Sequence, residues 1–183
     1  MRSKHVVLVA LIILAIWPFS GCGQGAEQTD RVSEYPIAPD AIRNASIELI
    51  DGSTYRLADQ QGKVVLINLW ATWCGPCRNE MPELVKLQEK YGPRGFEVVG
   101  LDVDPEPLEM IKPFAEKMGI NYKLGWADED LVTEFFNITE RNGIPQSFLI
   151  NRNGELTGVF FGGGEETIGK MKETVAKVVE GTD

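Results

Sequence analysis

The chain has 183 residues, 43% of them apolar, which suits one well-packed domain and is short for two. It carries 18 basic and 27 acidic residues, and this net charge of −9 argues against nucleic-acid binding and against electrostatic attraction to anionic lipid headgroups. Loss of Arg2 and Lys4 with residues 1–21, which contain no acid, would leave a net charge of −11.

The first 21 residues have the composition of a signal peptide. A basic start precedes an unbroken apolar run over 6–17, and these 12 residues are too few for a membrane-spanning helix of roughly 20. The following Phe19-Ser20-Gly21-Cys22 resembles the lipobox of bacterial lipoproteins, in which the cysteine becomes the lipidated N-terminus. We therefore expect residues 1–21 to be removed and Cys22 to carry a lipid. A soluble exported protein cut after Gly25 and an uncleaved anchor are the alternatives.

Residues 22–43 are expected to comprise the lipidated cysteine and a flexible tether. The segment is polar, contains proline and shows no periodicity, and its random-coil reach is about 25 Å. Polar and apolar residues alternate after Asn44, and the turn sequence Asp51-Gly52 predicts an N-terminal hairpin. The folded domain is therefore predicted over 44–183.

Two apolar runs of strand length follow, separated by a helical pattern. Residues 64–70 are almost continuously apolar, as expected of a central strand buried on both faces, and residues 96–103 predict a second buried strand. Between them, apolar residues recur at helical spacing over 81–91.

The rest of the chain alternates helices and short strands. Apolar spacing predicts a helix over 108–118, a short strand near 122–124 and a helix from about Asp128. Asn153-Gly154 indicates a terminal hairpin, and a last helix carries apolar residues over 168–178. Together the elements predict an α/β fold with a central mixed sheet, helices on both faces, an N-terminal hairpin and a central helix-containing insertion.

Three acidic residues alternate after the second buried strand: Asp102, Asp104 and Glu106. They resemble the ligands of a calcium loop, but Pro107 stands where such a loop requires glycine. We interpret them as a strand end followed by a helix cap, with Asp104 as the N-cap and Pro105 as the first helical residue. No metal site is predicted.

The sequence Cys74-Gly75-Pro76-Cys77 lies where the first buried strand passes into a helix. A free cysteine is mostly protonated at neutral pH, but the unpaired N–H groups and the dipole of a helix N-terminus stabilise its thiolate. Pro76 is tolerated in a first helical turn, and Gly75 removes side-chain bulk beside the first sulfur. Cys74 is therefore the predicted nucleophile toward a substrate disulfide, and Cys77 the residue that resolves the mixed disulfide.

Two other roles for this cysteine pair are weaker. A purely structural disulfide would close a very short loop and would constrain the unfolded chain little. A structural zinc ion needs four Cys or His ligands, whereas the predicted domain holds two cysteines and the only histidine, His5, lies in the signal peptide. The favoured interpretation is thiol–disulfide exchange, with no cofactor besides the Cys74–Cys77 disulfide.

Around these residues the sequence resembles the thioredoxin fold and, more narrowly, the TlpA/ResA-like family of extracytoplasmic, membrane-attached thiol-disulfide oxidoreductases. The matching stretches are residues 62–77, then Glu80-Met81-Pro82, and residues 143–150. Their order and spacing agree over about residues 44–180.

The resemblance implies a substrate-binding surface. Ile144-Pro145 is expected to form a cis-proline loop facing the two cysteines, where the Ile144 backbone would pair with an extended substrate segment. An ordinary trans bond is the alternative. Trp73 would shield the first sulfur from water, and Gly75 and Pro76 would complete the surface.

Glu80 matches an acid that this family keeps just after its second cysteine. It lies one helical turn beyond Cys77, so a partly buried carboxylate there could exchange a proton with that thiol. A solvated helix glutamate is the alternative. Thioredoxin itself has a buried aspartate where this chain has Asn68, so any proton relay must differ from that of thioredoxin.

The resemblance also implies partners and a location. We expect a monomeric reductase of protein disulfides, such as those of apocytochrome c during cytochrome c maturation, that a membrane thiol carrier reduces in turn. A lipid anchor would hold it on the periplasmic side or the outer face of the cell membrane. A general thiol oxidase stays an alternative, because the direction of exchange depends on the reduction potential of the cysteine pair. A difference of about 30 mV in a two-electron couple corresponds to only about 1.4 kcal/mol.

Two further alternatives come from other classes of protein. A thioredoxin-fold copper chaperone would use a CxxxC motif with a histidine, and the predicted domain has neither. A peroxiredoxin would place proline and threonine seven and three residues before its cysteine, where this chain has Ile67 and Ala71.

Overall fold

The computed structural model describes residues 38–181, so the predicted signal peptide, Cys22 and most of the predicted tether lie outside it. The α-helices are α1 (Asp40–Asn44), α2 (Gly75–Tyr91), α3 (Leu108–Met118), α4 (Glu129–Thr139) and α5 (Glu165–Glu180). The strands are β1 (Ile47–Glu48), β2 (Thr54–Tyr55), β3 (Val64–Trp70), β4 (Phe96–Asp102), β5 (Lys123–Trp126), β6 (Gln146–Ile150) and β7 (Leu156–Phe161). Between residues 38 and 181, no helix is long and apolar enough to cross a membrane.

Strands β3 to β7 form one mixed sheet in the order β5-β4-β3-β6-β7. The central strand β3 runs parallel to β4 and antiparallel to β6, while β5 and β7 extend the sheet at its two sides. The short strands β1 and β2 pair separately as the predicted N-terminal hairpin. The predicted mixed sheet is therefore confirmed, and α3, β5 and α4 lie between β4 and β6 along the chain.

The continuous apolar run of β3 is explained by burial on both faces, because all seven of its residues are buried. Val65 and Ile67 belong to a core that also contains residues of α1 and α4. Val64 and Leu66 belong to a second core that contains residues of α2 and α5. The helices therefore cover the sheet from both sides, as the sequence predicts.

The two parallel strands β3 and β4 end together, with Trp70 paired to Asp102. The chain leaves β3 at this edge of the sheet and enters α2 within a few residues. A third apolar cluster lies here and includes Trp70, Met81, Ile111 and both cysteines of the CGPC sequence. The carboxyl ends of the parallel strands thus position the site.

The folded domain begins earlier than the predicted boundary at Asn44. Helix α1 places Ile42 in the core with 1% exposure, and Ala38 is 3% exposed. Residues 38–43 therefore belong to the domain rather than to the tether predicted over 22–43. A helix of five residues is too short to show a helical period in the sequence, and burial of Ile42 holds it.

Helix α3 begins at Leu108, so the cap predicted at Asp104 and Pro105 is wrong. Pro107 is the N-cap residue of this helix. Asp104 and Glu106 each precede a proline, and a residue before proline is sterically disfavoured in helical backbone. Residues 104–107 therefore form an irregular loop.

Candidate active site

Cys74 and Cys77 lie at the amino end of α2 and are joined by a disulfide bond. Cys74 is the N-cap residue, and its Sγ accepts a hydrogen bond of 3.2 Å from the backbone N–H of Cys77. Pro76 lies in the first turn, as predicted. Cys74 is 4% exposed and Cys77 is 1% exposed. The same N–H and the helix dipole would stabilise negative charge on the Cys74 sulfur once the disulfide is reduced.

The cis-proline loop lies beside the two cysteines. The Ile144–Pro145 peptide bond is cis, as the resemblance predicts. Ile144 packs against the apolar cluster that contains Cys74 and Cys77. The Pro145 carbonyl accepts a hydrogen bond of 2.9 Å from the Gly162 N–H, which ties the loop to the turn after β7. The cis bond and the position of Ile144 agree with the loop that the resemblance implies.

The turn after β7 also touches the CGPC sequence directly. A Cβ atom placed on Gly163 would lie 2.3 Å from the carbonyl oxygen of Pro76, closer than real Cβ atoms approach. Glycine at position 163 thus allows the backbone of this turn to lie against the first turn of α2.

Glu80 is buried, with 3% exposure, and so is not a solvated helix glutamate. Its Oε1 accepts hydrogen bonds from Asn68 Nδ2 and from Ser147 Oγ, the latter at 3.3 Å. Asn68 Nδ2 also donates to Ser147 Oγ at 3.0 Å. Asn68 and Ser147 are directly paired across β3 and β6, so the sheet itself fixes both partners of the carboxyl group.

The surroundings of Glu80 change its acidity. Burial raises the pKa of Glu80 to about 7, and the hydrogen bonds from Ser147 and Asn68 act in the opposite direction. A carboxyl group with a pKa near the ambient pH can both accept and donate a proton. Sequence reasoning missed the two partners, although a lone Asn68 within an otherwise apolar strand was a usable indication.

The loop before Cys74 is held by two acidic residues, Glu106 and Asp104. Glu106 Oε2 accepts a hydrogen bond of 3.0 Å from the Thr72 N–H, and its Oε1 accepts one from the Thr72 hydroxyl. Asp104 Oδ2 accepts a hydrogen bond of 2.8 Å from the indole N–H of Trp73. The ring of Trp73 is 62% exposed, so most of it is available to a partner protein.

Asp102 is the third acid of this segment and is fully buried at the end of β4. Its Oδ1 accepts a hydrogen bond of 3.1 Å from the Asp104 N–H. Burial, followed by the nearby carboxyl groups of Glu106 and Asp104, raises the pKa of Asp102 to about 7. Within residues 38–181, no group of three or more His, Cys, Asp or Glu side chains is arranged to hold a metal ion.

Proteins of known class resemble the whole folded part of the chain. The thiol-disulfide oxidoreductase ResA of Geobacillus kaustophilus is 34% identical over 154 residues, which cover 84% of each chain. ResA of Oceanobacillus iheyensis is 31% identical, over 84% of this chain and 76% of its own. The crystal structure of a thiol:disulfide interchange protein of the thioredoxin family from Chlorobium tepidum is 31% identical and superposes with a TM-score of 0.63, covering 78% of this chain and 99% of its own.

A helix-capping cysteine pair beside a cis-proline on this sheet, together with these relatives, defines a thioredoxin-like thiol-disulfide oxidoreductase. The chain belongs to the AhpC/TSA family, whose model matches residues 38–159.

Proposed function

We propose that the protein is an extracytoplasmic, membrane-tethered enzyme that reduces disulfide bonds in other proteins. The observation that carries the proposal is the buried Glu80 carboxyl group, one helical turn from Cys77, behind a cysteine that caps the same helix. This arrangement supplies both a stabilised nucleophile and a proton acceptor for the second thiol.

The first step uses Cys74. Its thiolate attacks one sulfur of the substrate disulfide, so that a Cys74–substrate bond forms, the substrate S–S bond breaks and one substrate thiolate leaves. Ile144, which precedes the cis-proline, packs against the cluster that contains Cys74. Its backbone and the exposed side chain of Trp73 would hold an extended substrate segment. Gly75 and Pro76 complete the surface.

The second step uses Cys77. Glu80 takes the Cys77 proton, and the resulting thiolate attacks Cys74 Sγ in the mixed disulfide. The Cys74–Cys77 bond forms and the second substrate thiolate is released, so the substrate gains two electrons and the enzyme pair loses two. A buried carboxylate with a pKa of about 7 suits this transfer.

A membrane thiol carrier would return two electrons and two protons to the Cys74–Cys77 disulfide. The enzyme would need no other cofactor and would act as a monomer, attached through a lipid on Cys22 after removal of residues 1–21. Relatives named ResA and thiol:disulfide interchange protein support exchange with protein thiols. We further propose oxidised apocytochrome c, with its Cys-x-x-Cys-His haem-attachment sequence, as a substrate.

The test is capture of mixed disulfides in cells. A Cys77→Ser variant should accumulate complexes in which Cys74 is linked to substrate proteins, because the resolving thiol is missing. Mass spectrometry of the captured proteins identifies the substrates. Fractionation of the cells tests membrane attachment: the protein should be found in the membrane fraction, and a Cys22→Ala variant should not.

The control is a Cys74→Ser, Cys77→Ser double variant, which should capture nothing. Equal capture by the two variants would contradict the proposed exchange. Rapid peroxide turnover by Cys77→Ser would favour a peroxiredoxin, and tight copper binding by the reduced protein would favour a metallochaperone. A pair found mainly oxidised in cells would favour a general thiol oxidase.

A further inference from the structure

The inference concerns Arg141, an exposed residue between the end of α4 and the cis-proline. Its guanidinium carbon lies 5.3 Å from the centre of the Phe161 ring, and this cation–π contact orients the side chain. In the part of the chain that the structure describes, the Arg141 side chain forms no salt bridge and donates no hydrogen bond. Stacking leaves the N–H groups at the edge of the guanidinium plane available, and their geometry matches a carboxylate.

The backbone of Arg141 is held in place by hydrogen bonds. Its carbonyl accepts hydrogen bonds of 3.0 Å from Gln146 Nε2 and of 3.1 Å from Thr139 Oγ1, and its N–H donates to Thr139 Oγ1 at 3.3 Å. Gln146 is 0% exposed, and its Nε2 also donates to the Gly143 carbonyl at 2.8 Å. This buried carboxamide of β6 therefore fixes the loop that carries Arg141.

Arg141 and Phe161 lie beside the cis-proline. Phe161 is directly paired with Gln146, the residue after Pro145, across β6 and β7. The next residue, Gly162, donates its N–H to the Pro145 carbonyl, and the turn that it begins lies against the first turn of α2. Arg141 therefore occupies the rim of the surface that we propose for substrate binding, on the side of β6 and β7.

We propose that Arg141, stacked on Phe161, binds a carboxylate of the substrate protein and so favours disulfides with an acidic residue near the attacked cysteine. The proposal rests on the proposed function, in which the Ile144 backbone pairs with an extended substrate segment. Arg141 is three residues from Ile144, so at most about 11 Å separates their Cα atoms. A strand rises about 3.3 Å per residue, so the acid should lie within about four residues of that cysteine.

The charges around the site differ between its two sides. Strands β4 and β6 flank the central strand β3 on opposite sides. Asp104 and Glu106 follow β4 and hold the loop before Cys74, so negative charge lies on that side. Arg141 precedes β6 and supplies positive charge on the side of the cis-proline. A substrate acid is therefore favoured only on the side of its cysteine that reaches Arg141.

The experiment measures the capture of synthetic peptides by the reduced Cys77→Ser variant. Each peptide carries one cysteine in a disulfide with a coloured aromatic thiol, and a single Glu, or Gln in its place, at one position within about four residues of that cysteine. The Cys74 thiolate attacks the peptide sulfur, so that the Cys74–peptide bond forms, the original S–S bond breaks and the aromatic thiolate leaves. The absorbance of the released thiolate gives the rate.

On one side of the cysteine, the Glu peptides should react roughly two- to fivefold faster than the matching Gln peptides, as expected of an exposed ion pair. Added salt should reduce this preference, because it screens exposed charges. Arg141→Gln should remove the preference. Phe161→Leu should lower it, because leucine offers no aromatic face for the guanidinium.

Arg56→Gln is the matched control, because it removes an equal charge from an exposed position directly after β2. The Arg56 carbonyl accepts a hydrogen bond from Gln60, whose own carbonyl bonds the Lys63 N–H at the amino end of β3. Arg56 thus lies toward the end of the sheet opposite to the cysteines, and its replacement should leave the preference unchanged. Equal loss of the preference in both variants would assign it to net charge and would overturn the proposal.

The parent Cys77→Ser protein is sufficient to reject the proposal, even if Arg141→Gln fails to fold. Equal rates for the Glu and Gln peptides at every position would overturn the role of Arg141 and leave the proposed function standing. If no peptide reacts faster than with the Cys74→Ser, Cys77→Ser double variant, the proposed function fails as well. The two failures are therefore distinguishable.

Discussion

At the scale of single residues, the chemistry depends on which carboxyl groups are buried. Glu80 is the one acid of α2 that is buried, and Asn68 and Ser147 of the sheet donate hydrogen bonds to its carboxyl group. Glu83, one turn further on, is only partly buried and instead bonds Lys86 and Lys172. The same residue type is thus buried with a raised pKa at position 80 and paired with lysines at position 83.

Replacement of Glu80 by Gln should slow the reduction of a model protein disulfide by roughly 10²-fold near neutral pH, the usual contribution of a general base. The wild-type rate should rise as pH increases through about 7, because the carboxylate is the base and burial raises the pKa of Glu80 to that value. Glu80→Gln should lose this rise. The measurement is the pH–rate profile under single-turnover conditions.

The control for this prediction is Glu83→Gln, which removes a lysine-paired acid from the same helix. Its pH–rate profile should match that of the wild type. A Glu80→Gln enzyme that keeps the wild-type rise would show that another group accepts the Cys77 proton.

At the scale of elements, the site depends on one close backbone contact between the turn before α5 and the first turn of α2. Gly163→Ala should destabilise the protein by about 1–3 kcal/mol, because the new methyl group would collide with the Pro76 carbonyl and force the two turns apart. The reactivity of Cys74 should change as well. Urea unfolding and thiol alkylation measure the two effects.

Gly169→Ala is the control, and it should change the stability in the opposite direction. Gly169 lies inside α5, and a Cβ atom there would meet nothing within 4 Å. The substitution should stabilise the protein by about 1 kcal/mol, the difference in helix propensity between the two residues. A destabilisation shared by both alanine variants would mean that the contact with Pro76 is not the cause.

Elements with strong periodicity could be predicted from the sequence, and those fixed by tertiary contacts could not. The apolar run of β3 and the spacing of α2 are local patterns, so both were recoverable together with the cysteines between them. Helix α1 forms because Ile42 is buried by distant parts of the chain. The role of Glu106 depends on its meeting Thr72, 34 residues away in sequence, and no local pattern indicates such a pair.

At the scale of the whole molecule, two buried acids link stability to pH. Burial raises the pKa of both Glu80 and Asp102 to about 7, well above the values near 4 of an unfolded chain. The folded state therefore binds protons that the unfolded state has already released. The contribution of these two groups to the free energy of unfolding should be complete below about pH 4 and should be lost as the pH rises through 7.

Between about pH 5 and about pH 8, each carboxyl group should lower the free energy of unfolding by on the order of 2 kcal/mol. Urea unfolding of the oxidised, mature protein at these two pH values measures it. A Glu80→Gln, Asp102→Asn double variant should show a much flatter dependence. An equally steep decline in the double variant would assign the effect to other groups.

The order of strands along the chain has a consequence for biosynthesis. Asn68 in the central strand hydrogen-bonds Ser147 in the strand beside it, 79 residues later, and Glu80 bonds both. A growing polypeptide therefore completes both cysteines long before it contains the serine that bonds Glu80 or the cis-proline next to Ile144, which packs near the cysteines. Until the last third of the chain has been made and has joined the sheet, Glu80 lacks its hydrogen bond from Ser147, so the surroundings of this carboxyl group are completed only with the sheet.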